Sequence, residues 1–237
     1  MIIEYENTFD GLLSALYTYY TCKDITIINS SSMPGLLEAD KHDTNFENAK
    51  KFGNRIINKF GIAAYENIYF AFIYNATDKE SSIIQYINFL INKNNNNNMA
   101  YFKITKYRKE ILNTIMRFQG FLRFSDIYGI MYAKYEPEYD ITFLLSDYFK
   151  ERLLGSDFII HDLKRDLLLF YKNQEKVIIK INKEIFADYD DANEQYIQNL
   201  FKTYFESASI KERENYKLQR NMFPLKYRHH ALEFEKG

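Results

Sequence analysis

The chain has 237 residues, a formal net charge of −1 and 46% hydrophobic residues, enough apolar content for one large domain or two small ones. No apolar run is long enough to cross a bilayer, and the opening MIIEYENTFDGLL has acids where a secretion signal has a basic head, so a cytoplasmic protein is expected. Cys22 is the only cysteine, which excludes an internal disulfide and a chain-held iron–sulfur cluster; in the setting YYTCKDI it reads as a partly buried small hydrophobe.

Ile2, Ile3 and Tyr5 alternate with polar neighbours, which predicts a short half-buried strand. Asn7, Thr8 and Asp10 offer N-caps for a helix through GLLSALYTYY, and Ile25 to Ile28 forms a second strand. Ser30 to Asp43 mixes serines, Pro34, Gly35 and charges and reads as a loop or linker. Three helices are expected next, over Phe46–Phe60, Ala63–Tyr74 and Ser81–Ile91, the last behind the caps Thr77 and Asp78. The run Asn94 to Asn98 reads as a solvated surface loop.

Tyr101 to Phe118 is the most regular helix, with Ile104, Tyr107, Ile111, Ile115 and Phe118 on one stripe. Lys106, Lys109, Asn113 and Arg117 fall on the opposite face. After Gly120 the period changes to that of strands. FLRFSDIYGIMYAKYEP predicts two strands meeting near Asp126–Gly129, and Asp140 is placed to cap a helix through Ile141, Leu144, Leu145, Tyr148 and Phe149. Next, DFIIHDLKRDLLLFYKNQEKVIIKI predicts three strands with turns near Leu163–Arg165 and Asn173–Gln174. The acids Asp188 to Asp191 precede a helix to about Ala208, with a seam of Ile197, Leu200, Phe201 and Tyr204. The expected class is α+β: a mostly helical N-terminal half packed on a C-terminal antiparallel sheet with covering helices. The organisation follows as 1–98 and 99–237, or one continuous domain.

Charge is unevenly spread. Residues 1–100 hold 8 Lys/Arg against 11 Asp/Glu, 101–134 hold 7 against 2, 135–210 hold 9 against 15, and 211–237 hold 7 against 4. Two basic segments therefore sit in an otherwise acidic chain, and together they would form a local positive patch. The aromatic fraction of 17% carries less weight, because Tyr, Phe, Ile, Asn and Lys share A/T-rich codons. Position must make the case. The second segment, IKERENYKLQRNMFPLKYRHHALEF, gathers basic, amide and aromatic side chains with Pro224 as its one breaker.

Several chemistries find no template. There is no glycine-rich phosphate loop, no GxSxG elbow and no dinucleotide fingerprint. His42, His161, His229 and His230 form no HxxxH pair, and adjacent His229 and His230 point apart in regular structure, so no metal site and no cofactor are expected.

The ordered motifs resemble an uncharacterised bacterial family of probable DNA-metabolism proteins. The similarity begins with YENTFDGLLSALY (Tyr5, Thr8, Phe9, Gly11, Leu12 and Leu13). It continues with RFQGFLRF (Arg117, Gly120, Phe121, Arg123 and Phe124), YAKYEPEYD (Tyr132, Ala133, Glu136, Pro137 and Asp140), and Phe149 with Arg152. FIIHDLKR supplies Ile160, Asp162 and Arg165. The C-terminal segment supplies Glu212, Arg213, Asn215, Leu218, Gln219, Arg220, Pro224, Tyr227, His230, Glu233 and Phe234. Two patterns depart: the family's Glu-x-His is Thr114-Ile115-Met116 here, and its Met-Pro-x-Arg-Tyr-Trp is Phe223-Pro224-Leu225-Lys226-Tyr227-Arg228. The resemblance implies association with a radical-SAM protein of DNA modification or repair, and relatives fused to a uracil-DNA-glycosylase-like domain. It implies no catalytic role for any residue.

Three functions remain open on the sequence. The leading one is a nucleic-acid-associated accessory protein that contacts DNA through Lys106, Lys109, Arg117, Arg123, Arg165, Arg213, Arg220, Lys226, Tyr227, Arg228 and His230, beside the radical-SAM partner. Arginine's planar fork suits phosphate, and its face can stack on a base. The second is a DNA-processing enzyme, a nuclease or base-processing hydrolase, using Glu136, Asp140, Asp162 or His230; against it, Arg117, Arg123, Arg152 and Arg165 are natural ion-pair partners for those acids. The third is a protein-interaction module, in which Glu212, Glu214, Glu233 and Glu235 neutralise the basic groups on an ordinary interface.

Overall fold

A computed structural model describes residues 2–22, 25–29, 40–74, 76–92, 99–127, 129–181 and 216–228. The chain divides into two compact units, 1–112 and 113–237. The class is α+β, with a mostly helical N-terminal half and a sheet in the C-terminal half.

In the first unit β1 (Ile2–Tyr5) is the centre of a three-stranded sheet, flanked by β2 (Thr26–Asn29) and β3 (Asp40–His42). Both ladders are parallel. Parallel neighbours need a crossover, and α1 (Phe9–Thr21) supplies it between β1 and β2. Its start is set by Thr8, whose hydroxyl accepts the Gly11 N–H at 3.0 Å. Any side chain at Gly11 would fall on the Glu6 carbonyl oxygen, so the bend into the helix requires glycine. The strand β3 corrects the expectation of a loop through Ser30–Asp43, because backbone pairing with β1 recruits polar residues that carry no strand pattern. Residues 30–39 of that stretch lie outside the described residues, as does the expected asparagine loop.

Helices α2 (Phe46–Phe60), α3 (Ile62–Ile73) and α4 (Lys79–Ile91) complete this unit with the first half of α5 (Met99–Phe121). Their apolar stripes meet Ile3, Tyr5, Leu12 and Leu16 in one core that includes Ile56, Ile68, Ile83, Ile104 and Tyr107. Polar groups inside it are paired. Tyr5 donates to Glu80 at 2.9 Å, Asn67 donates to Tyr86 at 2.9 Å, and Arg108 donates to Asn67 at 3.1 Å and to Glu66 at 2.9 Å. Ser14 and His42 Nε2, 3.1 Å apart, look like a nucleophile and base. Ser14 is fully buried, however, and accepts the Asn45 N–H at 3.1 Å, so the pair is a structural tie.

The second unit carries a five-stranded sheet in the order β4 (Ser125–Ile127), β5 (Ile130–Tyr135), β6 (Phe158–Asp162), β7 (Leu167–Lys172) and β8 (Glu175–Lys180). Three of its ladders are antiparallel as expected. The fourth, β5 with β6, is parallel, because α6 (Thr142–Arg152) crosses over between them. The β7–β8 hairpin turns on Asn173 and Gln174, both at positive φ, which matches the right-handed twist of the strands it joins.

One sheet face presents Tyr135, Phe158 and Tyr171, with Phe158 stacked on Tyr171 at 4.8 Å. Phe149 of α6 reaches this face through Phe124, whose ring is 4.9 Å from it, and Tyr135 bonds Thr142 at 2.8 Å. Helix α6 starts behind Ile141, which makes no capping hydrogen bond, so the cap expected of Asp140 is corrected. The other face presents Tyr132, Lys134, Ile159, His161, Leu168 and Phe170. The C-terminal segment adds α7 (Tyr216–Met222) and a 3-10 turn at Leu225–Tyr227 behind Pro224. Among the described residues no helix is long and apolar enough to cross a membrane.

Candidate functional site

Within the second unit, the part of the first basic segment from Arg117 onward meets the C-terminal one. Helix α5 keeps its predicted stripe, with Ile111, Ile115 and Phe118 buried, and its last turn receives the C-terminal segment. Phe223 stacks on Phe121 at 3.8 Å, and Tyr227 meets Phe118 edge-on at 4.9 Å. Pro224 enforces the extended entry to the 3-10 turn that delivers Tyr227 into this contact.

Two cations lie against the buried Tyr227 ring. The Arg117 guanidinium is 5.5 Å and the Lys226 ammonium 5.3 Å from its centroid. Arg117 also donates to the Tyr227 hydroxyl at 3.5 Å. Arg117 and Lys226 repel one another, and the aromatic face together with Glu138, which accepts from Lys226 at 2.9 Å, offsets part of that cost. The Glu138 hydrogen bond holds the lysine's pKa above its ordinary value, so it is charged at neutral pH. An anion placed between two such cations would relieve the remaining repulsion.

Beside them runs a narrow crevice whose rim carries Arg123, Lys134, Glu136 and Lys226 over a floor of Phe118, Leu122, Tyr135 and Tyr227. Three of these four rim residues are basic. Lys134 lies in a strand with no basic pattern of its own; alternation on β5, with the register to His161, places it on this face.

Other predicted residues have structural duties. Arg123 donates to the Gly120 carbonyl at 2.7 Å and Arg152 to the Gln119 carbonyl at 3.0 Å, so both cap the negative end of α5. Arg228 donates to the Phe223 carbonyl at 2.9 Å and closes the C-terminal turn. Tyr227 is enclosed, which leaves its ring to hold cations rather than to stack on a base. Lys106 lies 3.8 Å from Glu110, and Lys109 is exposed, both on the first unit's part of α5. Arg220 is exposed on α7. Arg213, His230, the glutamates beyond them and the expected helix to Ala208 lie outside the described residues.

The acids divide. Asp162 is fully buried at the end of β6 and takes three donors. It accepts the Lys164 and Arg165 N–H groups at 3.0 and 3.2 Å and the Arg165 guanidinium at 2.9 Å. Arg165 in turn donates to the Pro137 and Glu138 carbonyls at 3.1 and 2.9 Å. This clasp staples the turn after β6 to the loop after β5. Burial pushes the Asp162 carboxyl up while Arg165 pulls it down. Burial likewise raises Asp140, with Arg165 opposing. Among the described residues no group of three His, Cys, Asp or Glu side chains is placed to hold a metal ion.

Glu136 is different, because it also borders an open cavity of about 480 Å³ walled by His161, Leu163 and Lys164. His161 is 3% exposed and shares a 2.7 Å hydrogen bond with the Tyr132 hydroxyl. Burial holds the imidazole below its ordinary pKa and pushes the Tyr132 phenol up to about 12, so both are neutral at pH 7. The apolar run FII before it belongs to the same fully buried strand.

The chain belongs to the family described as Domain of unknown function (DUF4130), whose model matches residues 77–233. That stretch takes in α4, α5 and every described residue of the second unit, including the cation pair, the crevice and the clasp. No curated protein matches the chain.

Proposed function

We propose that this chain is a nucleic-acid-associated accessory protein of DNA modification or repair, acting in the cytoplasm beside a radical-SAM protein. The observation that carries the nucleic-acid part is the Arg117–Lys226 pair against one aromatic ring, at 5.5 and 5.3 Å, with Arg123 and Lys134 on the adjoining crevice. Phosphate contacts position a protein on a strand without reading its sequence, and clustered Arg and Lys suit that task. The DNA setting and the partner rest on the resemblance of the ordered motifs from Tyr5 to Phe234. A nuclease draws little support, since the Asp162 carboxylate is consumed by Arg165 and two backbone N–H groups.

The test is a gel-shift salt titration on single- and double-stranded DNA with the full chain. Affinity is expected to fall steeply as salt rises, and Arg220→Ala and Lys226→Ala each to weaken binding and flatten the slope by about one unit. Salt-independent binding, or no binding even with the radical-SAM protein present, overturns the reading.

A further inference from the structure

We propose that the open cavity beside the crevice receives one unpaired nucleobase, and that Glu136 selects bases carrying an exocyclic amino group. The inference rests on the nucleic-acid reading above and names what that same surface takes.

Its first support is size and position. At about 480 Å³ the open cavity has room for a base against its walls. The crevice holding Arg123, Lys134 and Lys226 is too narrow for a base but offers charge for a phosphate. Glu136 is a wall of both. A strand with a phosphate on the crevice therefore has a base to place next door.

The second support is rigidity. Leu163 and Lys164 form one wall of the cavity, and the Asp162 carboxylate fixes their turn through the Lys164 and Arg165 N–H groups at 3.0 and 3.2 Å. Glu136 stands on the other, and the next two residues, Pro137 and Glu138, are pinned through their carbonyls by Arg165. One half-buried ion pair thus holds both walls, which is the preorganisation a recognition pocket needs. It also gives Asp162 and Arg165 a positioning role.

The third support is chemistry. The Glu136 carboxylate offers hydrogen-bond acceptors, about four sites on its two oxygens, so it can take an amino group beyond the contacts it already makes. Cytosine and adenine present such a group on the Watson–Crick edge, whereas thymine carries the O4 carbonyl at that position and keeps the N3–H as its single donor there. Leu163 adds an apolar wall, and neutral His161, braced by Tyr132, adds no charge to the site.

Fluorescence anisotropy of the full chain with short oligo-dC, oligo-dA and oligo-dT, at one fixed salt concentration, tests the proposal. Oligo-dC and oligo-dA are expected to bind roughly tenfold tighter than oligo-dT. Glu136→Gln, which adds a donor, is expected to erase that preference or turn it toward oligo-dT. Lys226→Ala should weaken all three by a common factor and keep their order. Equal binding of the three by the unaltered protein, or an unchanged preference in Glu136→Gln, overturns the base pocket while leaving the phosphate contact intact. Failure of every oligonucleotide to bind overturns both. Glu136 is exposed, so its variant is expected to melt like the parent.

Discussion

The clasp of Asp162 and Arg165 shows how burial decides a residue's role. A carboxylate near a strand end, three residues before an arginine, has the same sequence signature whether it binds metal or an ion-pair partner. Complete burial with three donor contacts settles the geometry in favour of the partner. Asp162→Ala takes the carboxylate away from the Arg165 guanidinium and from two backbone N–H groups and should cost about 3 kcal/mol in chemical denaturation. Retention of full stability would show that the clasp is dispensable. His161 makes a pH prediction. Its folded pKa lies below the ordinary 6.5, through burial and Lys134, with Asp166 opposing. The unfolded chain therefore takes up the proton first, and the stability tied to neutral His161 is complete above about pH 6.5 and lost as pH falls below it. His161→Gln should flatten the fall in urea midpoint between about pH 7.5 and about pH 5.5.

At the scale of elements, periodicity carried most of the reading. The stripe from Ile104 to Phe118 is buried and the face of Lys106, Lys109, Asn113 and Arg117 is exposed, because helix geometry alone separates them. Turns at Asp126–Gly129 and Asn173–Gln174 were legible from local chemistry. The parallel pairing of β5 with β6 was not, since strand direction depends on how α6 crosses over, and β3 was hidden because its polar residues pair through backbone only. The meeting of the two basic segments was likewise invisible: it is made by Phe121, Phe223 and Tyr227, whose partners lie about a hundred residues away along the chain. Phe223→Ala removes the 3.8 Å stack on Phe121. The loss should be about 2 kcal/mol for this half-buried ring and should speed amide exchange across Tyr216–Met222. Unchanged exchange there would mean that the segment is held by other contacts. At the other end, Thr8→Ala should cost about 1 kcal/mol of thermal stability by removing the cap on α1.

At the scale of the molecule, a net charge of −1 conceals a local concentration of cations. The aromatic anchors hold Arg117 and Lys226 at one ring, and neighbouring Arg123 and Lys134 extend the charge along the crevice. Such a surface would engage a phosphate backbone weakly and without sequence preference, and the walled cavity beside it would supply selectivity. Glu138 tempers the patch in the free protein by pairing with Lys226 at 2.9 Å, and a phosphate would compete with it. Arg117 and Lys226, both against the Tyr227 ring, are expected to share one phosphate anion. A double-mutant cycle in DNA affinity measures that sharing directly. Arg117→Ala and Lys226→Ala should each weaken binding, and the double variant should lose markedly less than the sum, with a coupling of about 1 kcal/mol. Strictly additive losses, or no loss in either single variant, would contradict it.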